Sequence, residues 1–466
     1  MRLKRFLYSL AMLLLVSVAV QAQTVYPKRE FRGAWIQAVN GQFTGMSEKE
    51  MKSYLVTMLD NLQKVNVNAV IFQVRVEGDA LYESRYEPWS RFLTGVQGRS
   101  PGWDPLAFMV DECHKRNMEL HAWINPYRAR TKSTKKVAAN HLSSKKPGDF
   151  ISYDGQLYFN PSLQSNREHI CGIVRDILYR YDVDGLHIDD YFYPYPAAGK
   201  EFADDKWFKQ SGATDKGAWR RENVNHLIYQ LYRTVREVKP WVKFGVSPFG
   251  IYRNEKSWEF GSKTNGLQCY DDLYADVLYW IEQGWVDYCI PQLYWEIGHK
   301  AADYEELVQW WAKYAAGRPL YIGQDVQRTI KAKDAASPTG NQQADKYRMQ
   351  REQENILGSC FWDAASAANN AGGYRDVLAG GMYRYPALMP LYTFIDSKAP
   401  AKVKGVRLIE EGDDNVLVWL LNKKAYKDEM NAPHRFVVYC FEKGEKVKLD
   451  SPKNIMAITS KPFFKL

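Results

Sequence analysis

The sequence predicts an α/β fold: a (β/α)8 TIM barrel followed by a small β-sandwich module. Three observations predict it. Strand-like and helix-like segments alternate from residue 31 to 390, with eight strand candidates among them. Helix-to-strand connections are short, around Asn66, Asn117, Asp182 and Pro240, whereas strand-to-helix connections are long, notably 126–165, 191–218 and 250–271. The elaboration therefore falls at one end of the strands. In a (β/α)8 barrel that end is the C-terminal face, where active sites sit. An open doubly wound sheet would instead call for a Gly-rich phosphate turn after its first strand, and Val39-Asn40-Gly41-Gln42 is not one.

In chain order, residues 1–22 read as a secretory signal peptide. Arg2, Lys4 and Arg5 form a basic stretch, Leu7 to Val20 an apolar one, and Val20 and Ala22 offer small residues for cleavage. The apolar run is shorter than a membrane span needs, and no other stretch approaches one. The mature protein is expected in the periplasm or outside the cell. The barrel is expected over 29–390, with strands at 31–39, 69–76, 119–125, 184–190, 243–249, 286–294, 320–325 and 356–362. Helix starts are marked by Ser47 with Glu50, a capping box, by Asp104 before Pro105, and by Ser165 with Glu168, a second box before a helix running to about Tyr181. Past Asp396 short alternating stretches appear at 403–409, 416–421, 436–441 and 455–459. They predict a β-sandwich over 399–466, smaller than the roughly 100 residues of a full immunoglobulin-like one.

Composition narrows the function. The 466 residues carry a formal net charge of +9, three of those charges belonging to the basic leader, and the rest are interspersed. An exported chain without a basic stripe is not expected to bind nucleic acid. The six cysteines contain no CxxC pair and mostly lie in apolar patterns, which favours buried free thiols. His residues do not pair at metal-ligand spacing, and neither a P-loop nor a GxSxG elbow is present, so no cofactor or metal is expected. Aromatic residues reach 14%. Such an excess suits either an aromatic core or stacking against sugar rings.

The strongest local signal is Gly185-Leu186-His187-Ile188-Asp189-Asp190-Tyr191-Phe192-Tyr193-Pro194. Alternation puts His187 and Asp189 on one face of the fourth strand, and a carboxylate on the inward face of a barrel needs a reason. Asp189 is the expected catalytic carboxylate; Asp190 either supports it or caps the following turn. Glycosidic cleavage needs a second carboxyl. Glu77 after strand two, Glu296 after strand six and Asp363 after strand eight are the candidates, each open to a structural role as a loop carboxylate. Asp189 is read as nucleophile or base and Glu77 as acid, facing each other across the barrel mouth. Trp123, Asn125 and Arg128 at the end of strand three, His187 on strand four, Gln292, Tyr294 and Trp295 at the end of strand six, and Trp362 on strand eight complete the expected sugar-binding set, with Glu296 and Asp363. Trp123 and Trp362 suit barrel-top packing equally well.

Phe31-Arg32-Gly33-Ala34-Trp35, His121 to Arg128, Gly185 to Pro194, Phe244 to Pro248 and Pro291 to Trp295 together resemble the glycosyl-hydrolase-like family 10 domain, a bacterial envelope family, over roughly 29–390. The resemblance implies a TIM barrel and cleavage of peptidoglycan glycan strands stripped of stem peptides. It places Asp189-Asp190 on the family's Asp-Asp-Tyr-Phe-Tyr motif and Glu77 at a position held by Glu or Asp. The tail after 397 is similar to a fibronectin type III-like module. The competing expectation is a carbohydrate-binding envelope protein on a catalytically silent barrel.

Overall fold

The structure is a computed structural model that describes residues 26–315, 317–412 and 414–466. The leader expected at 1–22 lies outside the described residues. Eight parallel strands close into a barrel: β1 (Phe31–Ile36), β2 (Ala69–Arg75), β3 (Glu119–Ile124), β4 (Gly185–Ile188), β5 (Lys243–Val246), β6 (Tyr288–Cys289), β7 (Leu320–Asp325) and β8 (Ile356–Trp362). Each pairs with the next, and β8 closes on β1 with Phe31 opposite Gly358. The strands fall at the eight expected places. The sixth is shorter than 286–294 because Pro291 cannot donate to the ladder. Pairing nevertheless resumes beyond it, Gln292 bridging Phe249 on one side and Gly323 on the other.

Alternation sorts the strand residues into two cores. Val70, Phe72, Val74, Leu186 and Ile188 face the surrounding helices. Phe31, Trp35, Ile71, Trp123, Tyr288, Tyr321 and Cys360 fill the barrel axis. The axial core is unusually aromatic, and it carries His121 and His187, both fully buried. Two glycines make room for it. A Cβ on Gly245 would sit 2.0 Å from the Tyr288 ring, and one on Gly185 would sit 2.5 Å from the His121 ring.

Helix starts follow local chemistry. Ser47 and Glu50 form the expected reciprocal capping box before the helix Glu48–Gln63, which buries Met51, Leu55, Met58, Leu59 and Leu62 on one face. Asp104 accepts from the Ala107 amide at 3.0 Å, with Pro105 at the first helical position. The box expected at Ser165 and Glu168 does not form. That helix spans Gln164–Arg180 with Leu163 at its N-cap and no side-chain cap. Asn160 takes over the turn instead, accepting from the Ser162 amide at 3.1 Å and hydroxyl at 2.8 Å, and this starts the helix earlier.

The long connections do lie at the C-terminal mouth. The connection after β3, expected as loop, folds into a three-stranded antiparallel sheet of residues 128–130, 150–153 and 156–159. The tail contains a three-stranded sheet, Lys404–Glu411, Asp414–Leu420 and Phe463–Lys465, and a two-stranded one, Phe436–Tyr439 with Ile455–Thr459. It meets the barrel at the N-terminal face, where the Asn117 side chain donates to the Ile458 carbonyl at 2.7 Å and Arg435 lies 3.7 Å from Glu119. All six cysteines are free, five of them buried and Cys440 exposed. No helix among the described residues is long and apolar enough to cross a membrane.

Candidate active site

At the C-terminal mouth a cavity of about 340 Å³ is walled by Trp35, Trp123, Trp362, Tyr191, Tyr195 and Tyr294, with Asp189, Asp190, Gln73, Arg128, Ser247 and Gln292 among its polar lining. The walls are angled rather than parallel. Trp123 and Trp362 meet edge-on at 6.1 Å, and Trp35 and Tyr294 at 6.5 Å. Indole and phenol rings are surfaces on which sugar C–H faces stack.

Asp189 directly follows β4, so its carboxyl continues the inward face of His187. It is 4% exposed. One oxygen accepts from the Trp123 indole N–H at 3.1 Å and from the Asn125 amide, and the other from the Tyr191 backbone N–H at 3.3 Å. Asp190 accepts from the Tyr195 hydroxyl and from Gln292 Nε2 at 3.1 Å. Gln292 also donates to the Ser247 carbonyl at 2.9 Å, which ties β6 to β5 beneath the pair. Burial, and after it the Asp190 charge, pushes the Asp189 carboxyl up to about 7. Burial likewise raises Asp190. Two neighbouring carboxyls in a dry site disfavour double ionisation, so the pair retains a proton up toward neutral pH.

Arg128 is the nearby cation. Its guanidinium stacks 4.9 Å over the Tyr191 ring, donates to the Val76 carbonyl at 3.1 Å and also donates to the Asn125 side-chain oxygen. Asn125 lies behind the cavity wall. Its side-chain oxygen accepts from Gln73 at 2.7 Å while its amide serves Asp189, so it orients the acid instead of lining the space. Gln73, in turn, accepts from the Ala38 and Val39 amides at 2.8 and 2.9 Å, fixing the loop that carries Asn40 to the rim.

The expected residues divide in two. Asp189, Asp190, Trp123, Arg128, Gln292, Tyr294 and Trp362 come together around the cavity. His187 lies one layer down, fully buried under Ser247. Trp295 sits behind Phe249, ring centroids 5.5 Å apart. Glu296 is outside the lining, its carbonyl accepting from the His299 amide at 3.2 Å to close a turn. Asp363 caps the helix Ala364–Ala368, accepting from the Ser366 amide at 2.7 Å.

Glu77, expected as the acid, lies apart from the cavity. It is fully buried but turns away from the cavity lining. It accepts from the Thr131 amide at 2.6 Å, the Thr134 hydroxyl at 2.8 Å and Arg91 Nε at 2.9 Å. Burial alone would raise it, but Thr131 and Arg91 override that and hold the carboxyl below its ordinary value. A carboxylate so neutralised is a poor acid. Its role is to clamp the connection after β3 to the end of β2.

The sequence reading left Trp35, Asn40, Gln73, Tyr191 and Tyr195 out of the site. Gln73 was detectable, being polar on the inward face of β2, as Arg75 is beside it. Trp35 is an inward aromatic at the end of β1, a position that barrel-top packing would fill as readily. Asn40 and Tyr195 lie on irregular loops, where no periodicity points them inward.

A parallel barrel whose mouth holds a desolvated acid pair among indoles and phenols is a glycoside hydrolase-like (β/α)8 barrel. The profile of the family described as Glycosyl hydrolase-like 10 matches residues 30–339, and the chain belongs to that family. It is 40% identical over 426 residues to the glycosyl hydrolase YngK of Bacillus subtilis (strain 168), covering 89% of this chain and 83% of that protein. It is 37% identical over 327 residues to the glycosyl hydrolase DigH of Escherichia coli (strain K12), covering 65% of this chain and 74% of that one. Among solved structures, the PgaB (BpsB) glycoside hydrolase domain from Bordetella bronchiseptica superposes with a TM-score of 0.50 at 11% identity. That match covers 75% of this chain and 98% of the domain, and it reflects the fold alone.

Proposed function

We propose that this protein is an exported glycoside hydrolase that cleaves a cell-envelope polysaccharide, the glycan strands of peptidoglycan lacking stem peptides, with the Asp189–Asp190 pair as its acid and charge-stabilising groups. The observation that carries the proposal is the pair itself: two dry carboxyls at the C-terminal end of one barrel strand, facing an aromatic-walled cavity. The basic and apolar leader of residues 1–22 supports export. Family membership and a cavity walled by indoles and phenols, which suits sugar rings, support a glycan substrate.

The roles follow from the surroundings. Asp189 keeps its proton to near neutral pH and gives it to the leaving glycosidic oxygen as the bond to the anomeric carbon breaks. Tyr195 and Gln292 donate to Asp190 and favour its ionised form against the burial that raises it, so of the two it serves as the carboxylate. It stabilises the positive charge developing on the sugar and takes the proton released by the attacking water. This reverses the role read for Asp189 from sequence and replaces Glu77 by Asp190. Arg128 and Gln292 hold sugar hydroxyls, and Trp35, Trp123 and Trp362 stack on the rings. The tail from about 399 forms a module that positions the barrel on its polymer.

Peptide-free and intact glycan strands incubated with the protein, with products identified by mass, test the reading. Shortened saccharides from the peptide-free strands are expected. Binding to those strands without any cleavage would establish a carbohydrate-binding protein instead.

A further inference from the structure

A hydrogen-bonded column runs down the barrel axis beneath the cavity. The Ser247 hydroxyl lies 2.9 Å from His187 Nε2, and His187 Nδ1 lies 3.1 Å from the Tyr288 hydroxyl. The same hydroxyl lies 2.7 Å from His121 Nδ1, and His121 Nε2 lies 3.1 Å from Glu119 Oε2. Glu119 is also bound by Lys243 at 2.6 Å. Both histidines and Tyr288 are fully buried, so no bulk water can rearrange their protons.

The two ends of the column have fixed polarity. At the upper end the Trp35 indole N–H, which can only donate, points at His187 Nε2 from 3.4 Å. That nitrogen must therefore be the acceptor, and Nδ1 carries the ring proton. His187 Nδ1–H then donates to the Tyr288 oxygen, and the Tyr288 hydroxyl proton goes to His121 Nδ1. His121 is left to donate through Nε2–H. At the lower end that proton meets the Glu119 carboxylate, which can only accept while ionised. Burial would raise Glu119, but Lys243, with His121 and Arg435, holds it far below the usual range. Burial holds His187 well below its ordinary value, so its ring is neutral. Starting from either end gives the same direction.

We propose that His187 and Tyr288 are positioning residues that lock the Ser247 hydroxyl proton downward, so that Ser247 meets the substrate as a hydrogen-bond acceptor and selects a sugar O–H or N–H donor at that point of the cavity. The selection by Ser247 rests on the glycan-cleaving reading above; the proton order in the column does not. Ser247 lines the cavity and its carbonyl is already used by Gln292, so the hydroxyl lone pair is what it offers to a ligand. An ordinary serine rotates to suit either partner, whereas this one has its proton committed to His187.

Nitrogen-15 NMR of the histidine side chains in the wild-type protein reads the order directly. His187 as the Nδ1–H tautomer and His121 as the Nε2–H tautomer are expected; His187 protonated at Nε2 overturns the proposal. In kinetics with peptide-free glycan strands, Ser247→Ala should raise KM by up to about 10-fold, the worth of one neutral hydrogen bond, with a much smaller change in kcat. Tyr288→Phe keeps the ring in place but leaves the His187 Nδ1 proton without its acceptor, which loosens the hold of His187 on the Ser247 proton. It should raise KM in the same direction and add little in the double variant. An unchanged KM in Ser247→Ala overturns the assignment of Ser247 even if the tautomers are as expected. Should the wild type cleave no glycan, the function proposed above falls while the tautomer spectrum still decides the column. If Tyr288→Phe does not fold, the wild-type spectrum and Ser247→Ala carry the test.

Discussion

Two acidic clusters sit at the mouth of the same barrel, and their surroundings have opposite effects. Glu77, after β2, is as buried as Asp189, after β4. Glu77 is met by a guanidinium, a backbone N–H and a hydroxyl, and its carboxyl is held below its ordinary value. Asp189 is met by an indole, an amide and a second carboxyl, and it rises to about 7. Position at a strand end therefore does not make an acid. Direct donors decide: the Thr131 and Arg91 hydrogen bonds hold Glu77 ionised despite its burial, whereas Asp189, desolvated beside Asp190 with Arg128 not bonded to it, keeps a proton. Asp79, next to Glu77, marks the boundary between the two cases. Burial, and then the Glu77 charge, pushes it up to about 6, yet it accepts from Gln97 at 3.0 Å and does not line the cavity.

The largest expected difference between the clusters is in turnover. Asp189→Asn keeps the shape and an acceptor for Trp123 but removes the transferable proton, so kcat on peptide-free glycan should fall about 10²–10⁴-fold while glycan binding survives. Glu77→Gln, if it folds, should leave kcat within a few-fold of wild type. A wild-type rate for Asp189→Asn, or a collapse of kcat in a folded Glu77→Gln protein, would reverse the comparison. The pH profile adds a second reading of it. The active form has a protonated acid and an ionised partner, so kcat should fall as pH rises through about 7 and fall again in acid as Asp190 protonates, the two limbs belonging to the pair rather than to either residue.

Stability should separate the clusters in the other direction. Glu77→Gln leaves the Arg91 guanidinium facing a neutral amide and should cost about 1–3 kcal/mol in denaturant unfolding at pH 7. Because the folded state lowers the Glu77 carboxyl, its contribution is present above the ordinary carboxylate range and is lost as pH falls through it. The deficit of the variant should therefore shrink in acid. A constant deficit from pH 7 to pH 3 would mean that lost packing, not lost charge, is responsible.

Asp189 carries the opposite sign. Its folded-state value is raised, so the stability linked to its protonation is complete below the ordinary carboxylate range and is lost as pH rises toward about 7. At pH 8 the wild type bears a dry negative charge beside Asp190 that Asp189→Asn removes. The variant should accordingly be more stable than wild type at pH 8 by about 1–2 kcal/mol and lose that advantage near pH 4. Equal unfolding midpoints at both pH values would show that water reaches the pair.

The same contrast explains what could be read from the sequence. The barrel was legible because period-two strands and capped amphipathic helices are local patterns, and the uneven connection lengths showed which end was elaborated. Asp189 was legible because alternation carries the inward face of His187 one step further. The place of Glu77 was not legible because its partners come from elsewhere in the chain, Arg91 from the start of a short helix and Thr131 and Thr134 from the connection after β3, and no periodicity shows that they converge. Asp363 lies apart for a simpler reason: it is the first polar residue after its strand, which is also where the next helix needs a cap. Glu296 lies in a turn that its backbone carbonyl helps to close. Tyr195 and Asn40 reach the cavity only through irregular backbone, which leaves no pattern in the chain.

The smallest effect expected comes from the tail, which touches neither cluster. Its contacts to the barrel are at the opposite, N-terminal face: Asn117 donates to the Ile458 carbonyl, and Arg435 approaches Glu119. Removal of residues after Asp396 takes away the Arg435 contact, but Glu119 keeps Lys243 at 2.6 Å and His121 at 3.1 Å, so the axial column stays anchored. Both acidic clusters lie at the far end of the strands and retain every partner named above. The truncated protein should therefore cleave a short soluble glycan with kcat within about two-fold of the full chain, a change of under about 0.5 kcal/mol in the barrier. A tail that positions the barrel on its polymer should show its effect only on long or insoluble strands, as weaker binding at unchanged turnover. Circular dichroism establishes that the truncate is folded. A large loss of kcat on the short glycan in that folded truncate would mean that the N-terminal face controls the mouth through the column, and that the two ends of the barrel are not independent.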